Sequence, residues 1–406
     1  MPVLRNISQL ATCPPGNPQQ DAGLLDNAAI AWTGATIDWV GCYQDLPPEF
    51  EQEPLIDCER RLVIPGLIDC HTHLCFGGWR GDEFELRLKG ASYQEIAAAG
   101  GGISSTVTAT RAASGGELQR KANALLDAML KLGVTTIECK SGYGLDTANE
   151  LKQLEVYRRL NQSHQVDLVA TFLGAHIVPP EYQNKREAYI RLLCEELIPL
   201  IAKEGLARFC DAFVETGAFT TDEARQIFKT AAAHGLQIKV HADQLSDGGG
   251  AALAAEMGAV SAEHLEYIGD DGIRALAASG TVAVSLPLAS LYLGEPFLPA
   301  RKLLSAGVPV AVATDFNPGS APSYHLPLAM TLACLSQHMT PQEALNGATT
   351  VAARAISAES RIGSLLPGYS ADLAIIDMPS VNQWLYHFVP NACVAVLKNG
   401  AWVNQP

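Results

Sequence analysis

Residues 60 to 360 alternate short apolar runs with longer helical segments, and this alternation is what most limits the fold. Eight of the runs have strand character: Leu62 to His73, Gly133 to Lys140, Asp167 to His176, Arg208 to Glu215, Gln237 to Asp243, Ala259 to Glu266, Thr281 to Pro287 and Pro309 to Asp315. The segments between them are rich in Ala, Leu and Glu. Strands that alternate with helices form parallel sheets, and eight such units over about 300 residues fit a closed (β/α)8 barrel, a TIM barrel of the α/β class.

Nearly every predicted strand ends on a polar side chain that can take part in chemistry. These residues are His73, Lys140, His176, Glu215, His241, Asp243, His264 and Asp315. Active sites of (β/α)8 barrels lie at the carboxyl ends of the strands. A closed barrel brings the ends of strands one, five, six and eight together, whereas an open sheet keeps them apart. The pattern therefore favours a barrel with its active site at that end.

The two ends of the chain lack the long helical segments of the middle. Residues 1–61 contain short runs divided by Gly, Pro and Asp, and similar runs recur in residues 363–406. We predict one small β-sandwich domain built from both termini, residues 1–61 plus 363–406. The barrel then takes residues 62–362.

Composition excludes several classes of protein. The 406 residues are 48% hydrophobic and carry a formal net charge of −15, which argues against nucleic acid as a partner because phosphate binding draws on clustered Lys and Arg. We expect no secretion signal and no membrane helix, since no apolar run approaches about 18 residues. The ten cysteines are scattered without a Cys-x-x-Cys pair, which favours reduced thiols and a cytoplasmic location.

The first predicted strand carries His71 and His73 at its end, two residues apart. Side chains two apart on a strand point to the same face, so both imidazoles are directed toward one point. His241 lies at the end of strand five and Asp315 at the end of strand eight. Three imidazoles and a carboxylate suit Zn²⁺ or Fe²⁺, and such a site can keep one position open for a water that the metal activates.

Each of these residues also has an ordinary structural explanation. Taken alone, His241 would be a surface residue, Asp315 would cap a turn, and His264, at the end of strand six, would be a core histidine. Their joint position at one end of a barrel favours the metal site. His264 would then bond to the nucleophile or to a substrate oxygen.

These motifs resemble those of the amidohydrolase superfamily. The resemblance rests on His71-x-His73 after an Ile-Pro-Gly-Leu-Ile-Asp strand, on His241 and Asp315, and on the tail from Gly363 to Leu373. Longer strings resemble the imidazolonepropionase family within it. They cover residues 76–84, 99–103, 138–145, 171–176 and 315–320.

The resemblance implies a hydrolase of histidine degradation. Its substrate would be the small molecule 4-imidazolone-5-propanoate, whose ring C–N bond is opened to give N-formimino-L-glutamate. It also implies one zinc or iron ion per chain, bound by His71, His73, His241 and Asp315, and a homodimer in the cytoplasm. No membrane or nucleic acid partner is expected.

The resemblance also implies that several residues at the predicted barrel mouth bind the substrate. They are Arg80, Tyr143, His176, Gln244, Asn317, Gly319 and Ser320. The planar guanidinium of Arg80 suits the propionate carboxylate, and His176 would donate to the ring carbonyl or to the carboxylate. The glycines at 100–102 either bring backbone close to the substrate or form a lid.

Two positions separate this chain from other amidohydrolases. Lys140 ends strand two, whereas the carbamylated lysine of binuclear relatives belongs to a later strand, so we expect a structural or ion-paired Lys140. Gln244 stands where cytosine-deaminase-like relatives carry a Glu that shuttles protons. A neutral amide can only orient substrate or water. Proton transfer, the catalytic task, then falls to Asp315 and His264.

Two other functions compete with this hypothesis. One is a related deaminase, which would release ammonia, or a dipeptidase, which would bind about two metal ions. The other is a non-catalytic scaffold barrel. The retention of all four metal ligands argues against the scaffold.

Overall fold

The computed structural model describes residues 1–90 and 101–404. The strands are β1 (Val3–Ala11), β2 (Leu24–Thr33), β3 (Thr36–Cys42), β4 (Leu55–Asp57), β5 (Leu62–Pro65), β6 (Leu67–Thr72), β7 (Val134–Lys140), β8 (Asp167–Ala175), β9 (Phe209–Val214), β10 (Gln237–Ala242), β11 (Ser261–His264), β12 (Val282–Ser285), β13 (Val310–Val312), β14 (Leu373–Ile376), β15 (Cys393–Lys398) and β16 (Ala401–Asn404). They form two sheets of eight strands each.

The α-helices of the described ranges follow the strands. They are α1 (Gly81–Leu88), α2 (Ile103–Ala112), α3 (Gly115–Leu130), α4 (Thr147–Ser163), α5 (Arg186–Arg191), α6 (Ile198–Lys203), α7 (Thr221–Ala233), α8 (Gly250–Glu256), α9 (Asp270–Ser279), α10 (Pro287–Leu293), α11 (Ala300–Ser305), α12 (Leu326–Gln337), α13 (Pro341–Gly347), α14 (Thr350–Ala355) and α15 (Val381–Tyr386). A π-helical turn, Leu192–Leu197, joins α5 to α6. Short 3-10 helices span Tyr43–Asp45, Pro48–Phe50 and Pro180–Tyr182. Helix α15 lies in the C-terminal segment, where only strands were predicted.

Strands β6 to β13 form a parallel sheet in chain order. Its first and last strands meet, because the N–H of Asp315 donates to the carbonyl of His71 (3.1 Å) and the N–H of His73 to that of Phe316 (2.8 Å). All seven residues of β7 are buried, as expected for a strand with the barrel interior on one face and helices on the other. The predicted (β/α)8 barrel is confirmed.

The first predicted strand is in fact two strands, which break at Gly66. Strand β5 pairs with β1 and β14 of the terminal sheet, whereas β6 pairs with β7 of the barrel. The other seven predicted strands are present, with ends up to three residues shorter. The predicted domain limits stay a proposal, and the pairing of β5 favours moving the first limit from residue 61 to residue 65.

Both termini contribute to the second sheet, in the order β16-β15-β14-β5-β1-β2-β3, with β4 against β1. The rings of Trp32 in β2 and Trp402 in β16 lie 6.1 Å apart, although their strands stand near opposite ends of that order. The sheet therefore curls over a shared apolar core that includes Leu4, Ile30 and Leu373. The β-rich unit predicted from both termini is confirmed.

Three helices begin with the same local device, a capping box. In α3, α7 and α13 the side chain of the N-cap residue, Ser114, Thr220 or Thr340, accepts from the N–H three residues further on. The Glu at that later position accepts in turn from the N–H of the Ser or Thr. Each box pairs two backbone donors at the helix start and fixes where the helix begins. Among the described residues, no helix is long and apolar enough to cross a bilayer.

Lys398 connects the terminal sheet to the barrel. Its buried ammonium lies 2.7 Å from a carboxylate oxygen of Asp167 in β8 and 2.7 Å from one of Asp372. We expect Lys398→Met to lower the free energy of unfolding by about 3 kcal/mol, because Asp372 would stay buried without its cation. Lys89→Met, at an exposed pair with Glu85, should change it by less than about 0.5 kcal/mol. Urea denaturation of the two variants checks this, and equal losses would contradict it.

Candidate active site

The four predicted metal ligands converge at the carboxyl end of the barrel. The Nε2 atoms of His71 and His73 lie 3.3 and 3.4 Å from Oδ1 of Asp315. The ring of His241 stands 4.6 Å from that of His71, measured between centroids. All four side chains are buried. The extended chain at the end of β6 places His71 and the following His73 on one face, and barrel closure brings Asp315 to them.

His264 stands beside the same site, as the sequence predicted for the end of strand six. Its ring centroid is 5.7 Å from that of His71 and 5.4 Å from that of His241. Its Nδ1 lies 3.4 Å from Glu266, whose carboxylate also accepts from Ser290. Ligand atoms of His71, His241 and His264 lie within 4.8 Å of one another, as do those of His71, His73 and Asp315. The site thus offers two overlapping sets of metal donors.

Buried carboxylates stand behind two of the histidines. Oε2 of Glu263 lies 2.6 Å from Nδ1 of His71, and Oδ2 of Asp211 lies 2.9 Å from Nδ1 of His241. A carboxylate at Nδ1 keeps the proton there and leaves the Nε2 lone pair for a metal. Burial lowers the pKa of His241 to about 4, although Asp211 opposes the shift. A neutral imidazole is the form that binds a metal ion.

The donor set fits a metal ion. Among the described residues, Nε2 of His241 is buried without a hydrogen-bond partner. A buried polar atom left unpaired costs free energy, and such atoms in folded proteins call for an explanation. A cation bound between His241, His71, His73 and Asp315 supplies one.

Two predicted substrate residues lie against His73. The ring of His176 stacks on it at 5.4 Å with an interplanar angle of 22°, and the ring of Tyr143 lies 5.8 Å away. Nδ1 of His176 is 3.1 Å from the carbonyl of Gly142, and burial lowers the pKa of His176 to about 4. The structure thus brings both side chains to the predicted metal ligand His73.

The Tyr143 turn is held by helix α4. The Glu150 carboxylate accepts from the N–H groups of Gly142, Gly144 and Leu145, and Gln153 accepts from the N–H of Tyr143. Both side chains are fully buried. Helix α4 therefore fixes the turn that carries Tyr143.

Arg80 and Gly319 come together from the first and last loops of the barrel. A Cβ at Gly319 would collide with a terminal nitrogen of Arg80, so a larger residue there would have to displace the guanidinium. Arg80 also pairs with Glu83 at 2.8 Å, and Glu83 accepts from the N–H of Gly102. Gly100, predicted with its neighbours to approach substrate or form a lid, lies outside the described residues.

Asn317 uses its side chain within its own loop. Its amide nitrogen donates to the carbonyl of Asp315 and to Oγ of Ser320, and its amide oxygen accepts from the N–H groups of Gly319 and Ser320. Ser320 in turn lies 3.4 Å from Oδ2 of Asp315. Asn317 therefore shapes the loop after the metal carboxylate, and a direct contact between its amide and the substrate stays a prediction.

Gln244 lies in a loop anchored on both sides. The Asp243 carboxylate accepts from the N–H groups of Gly250 and Ala251, and the Glu215 carboxylate accepts from that of Leu245. Gln244 itself is partly exposed, three residues beyond His241. The structure thus anchors the backbone on both sides of Gln244, in the loop that follows β10.

Comparison with known proteins agrees with this geometry. A model of the amidohydrolase family matches residues 62–405. Imidazolonepropionase from Symbiobacterium thermophilum is 48% identical over 390 residues, 95% of this chain and 92% of that protein. The enzyme of the same name from Geobacillus kaustophilus is 47% identical over 384 residues, 94% of this chain and 91% of that protein. The chain belongs to the amidohydrolase family, and within it to the imidazolonepropionases.

Solved structures share the fold of this amidohydrolase at low identity. Guanine deaminase from C. acetobutylicum, with bound guanine, superposes with a TM-score of 0.72 at 16% identity, covering 98% of this chain and 99% of that one. The 5-methylcytosine deaminase from Klebsiella pneumoniae gives a TM-score of 0.75 at 17% identity, covering 100% and 97%. These structures support the barrel and its β-rich unit.

Beneath the predicted metal ligands, this amidohydrolase carries a cluster of five buried charged residues that the sequence analysis largely missed. They are Glu138, Lys140, Asp211, Lys239 and Glu263. The expectation that Lys140 is ion-paired is confirmed, since its Nζ lies 2.9 Å from Glu138. A signal was present: Lys239 lies two residues before His241, so the two share a face of β10.

Gly142 has a conformation and a neighbourhood that require glycine. Its φ is 101°, and a Cβ there would lie 2.8 Å from the carbonyl oxygen of Leu173 and 3.1 Å from Nδ1 of His176. We expect Gly142→Ala to destabilise the protein by about 1–3 kcal/mol, the usual cost of such backbone strain. Gly116→Ala, within helix α3 with its nearest contact at 3.6 Å, should be neutral or stabilising. Urea midpoints distinguish the two, and an unaffected Gly142→Ala would contradict the assignment.

Proposed function

We propose that this chain is an imidazolonepropionase that hydrolyses 4-imidazolone-5-propanoate to N-formimino-L-glutamate. The observation that carries the proposal is the convergence of His71, His73, His241 and Asp315, with carboxylates behind two of the imidazoles. The relatives at 47–48% identity bear the name of this activity. One zinc or iron ion (Zn²⁺, Fe²⁺ or Fe³⁺) would bind these four residues.

A metal ion in this site would act as a Lewis acid and lower the pKa of a bound water. The hydrolysis adds one water: a hydroxyl joins the carbonyl carbon, the ring C–N bond breaks, and a proton goes to the leaving nitrogen. Asp315 would accept the proton of the attacking water and return it to that nitrogen. His264 would donate to the carbonyl oxygen as negative charge develops there.

The remaining predicted residues would bind and orient the substrate. Arg80 would pair with the propionate carboxylate, since a guanidinium matches carboxylate geometry. Tyr143 and His176 would contact the ring from the His73 side, which their packing on His73 supports. Gln244 would hold substrate or water through its amide, and Ser320 with the Gly319 backbone would bind the opened product. The homodimer and the cytoplasmic location stay predictions.

The ring-opening activity can be tested directly. Metal-replete protein is incubated with imidazolone propionate, whose ultraviolet absorbance should fall, without release of ammonia. His241→Ala removes a ligand and should lose activity and metal together. Elemental analysis should find about one metal per chain, as a mononuclear site requires. No loss of absorbance above the His241→Ala control would refute the proposal, ammonia would indicate a deaminase, and two metals a dipeptidase-like site.

The contact between Arg80 and Gly319 predicts a defect in substrate binding. Gly319→Ala places a methyl group where the Arg80 guanidinium lies and should displace it from the substrate carboxylate. Charged hydrogen bonds are worth about 1.5–3 kcal/mol, so KM should rise about 10- to 100-fold, with a smaller change in kcat. Gly81→Ala is the matched control, since a Cβ beside Arg80 there has no neighbour among the described residues within 4 Å. If both variants had the same KM and kcat, the proposal that Arg80 binds the substrate would be wrong.

A further inference from the structure

The ammonium group of Lys140 is the centre of the buried charge cluster. Its Nζ lies 2.9 Å from Oε1 of Glu138, 2.9 Å from Oδ2 of Asp211 and 2.8 Å from Oε2 of Glu263. A lysine ammonium has three N–H donors and no acceptor. The three carboxylate oxygens pair all three donors of a side chain that is fully buried. Lys140 is therefore held in one position by a tripod of ion pairs.

Two of the three carboxylate oxygens that bind Lys140 also face the metal-site histidines. Oδ2 of Asp211 lies 2.9 Å from Nδ1 of His241, and Oε2 of Glu263 lies 2.6 Å from Nδ1 of His71. One cation thus binds both oxygens on which the orientation of these imidazoles depends. The carboxylates come from β9 and β11, so Lys140, on β7, ties together strands on both sides of His241.

Lys239 has a narrower role in the same cluster. Its Nζ lies 2.7 Å from Oε1 of Glu263, the oxygen that does not face His71. It also donates to the carbonyls of Cys70 and Ala355. Lys239 therefore supports Glu263 from behind, whereas Lys140 contacts the oxygens on the histidine side.

We infer that Lys140 is a positioning residue of the metal site, which holds Asp211 and Glu263 so that His241 and His71 present Nε2 to the metal. The inference rests on the proposed metal site and adds a requirement for a residue that touches neither metal nor substrate. Without the ammonium, two buried carboxylates would lose a shared partner and repel each other. The carboxylates of Asp211 and Glu263 would then fix the orientation of the two imidazoles less firmly.

The test measures metal binding in Lys140→Met, which keeps most of the length of the side chain and removes its charge. Zinc affinity is measured by competition with a chromogenic chelator, and ligand geometry by the visible spectrum of the cobalt-exchanged enzyme. Loss of groups that orient metal ligands weakens metal binding by about 10- to 100-fold. We expect a loss of that size together with a changed cobalt spectrum.

Lys398→Met is the matched control. Lys398 is also a buried lysine between two carboxylates, Asp167 and Asp372, but it lies in the terminal sheet. Its loss should destabilise the protein and leave zinc affinity and the cobalt spectrum as in the wild type. If Lys140→Met does not fold, Lys140→Gln, which keeps two N–H donors, takes its place and should show the same effects at smaller size.

The outcomes separate this inference from the proposed function. A wild-type chain that binds no metal overturns both. A wild type that binds metal, with a Lys140 variant of equal affinity and unchanged cobalt spectrum, overturns only the role of Lys140. If Lys398→Met lost as much zinc affinity as the Lys140 variant, the effect would come from general destabilisation. That result would also overturn the role of Lys140.

Discussion

The joint between the first and last barrel strands determines where the active site forms. The backbone bonds that close the barrel run between His71, His73, Asp315 and Phe316, and three of these residues are proposed metal ligands. Below them, both carboxylate oxygens of buried Asp69 accept from Thr314 and tie β6 to the segment after β13. Closure of the barrel thus brings three of the four proposed ligands together. A change that opened the joint would separate His71 from Asp315.

Barrel closure leaves the chain in unusual conformations at the strand ends. Asp243, His264 and Asp315 have φ angles of 48°, 77° and 55°, a region that costs residues other than glycine of the order of 1–2 kcal/mol. Hydrogen bonds from the next helix to Asp243 and from Ser320 to Asp315 help to hold them. Each turns the chain at or just after the end of a barrel strand: the side chains of His264 and Asp315 then lie beside His71, whereas the Asp243 carboxylate faces the start of α8.

The sequence predicted the barrel and the convergence of the proposed metal ligands because both follow from periodicity. Eight apolar runs with polar ends specify the strands, and the spacing of His71 and His73 specifies a shared face. The break at Gly66 could not be seen, because the apolar run continues from β5 into β6 and nothing local shows that the chain changes sheets. Helix α15 was also missed, since its six residues are too few for a clear helical period.

Apart from Lys140, the buried charges were missed for a different reason. A charged residue in a strand is ordinarily read as facing solvent, and only the paired positions of Glu138, Lys140, Asp211 and Glu263 show that their charges balance inside. Such pairings join strands far apart in sequence, so no local pattern contains them. The proposed metal ligands could be found from the sequence, because each lies at the end of a predicted strand.

Two kinds of support therefore hold the site together. The proposed metal ligands lie on barrel strands or just after their ends, and ion pairs among Lys140, Asp211 and Glu263 support them from below. The proposed substrate residues lie in loops, and helices α1 and α4 hold two of these loops in place. Glu150 of α4 holds the Tyr143 turn, and Glu83 of α1 holds Arg80. Because these supports share no residue, the loops that carry Arg80 and Tyr143 can change while the proposed metal site stays intact, which allows one barrel to accommodate different substrates.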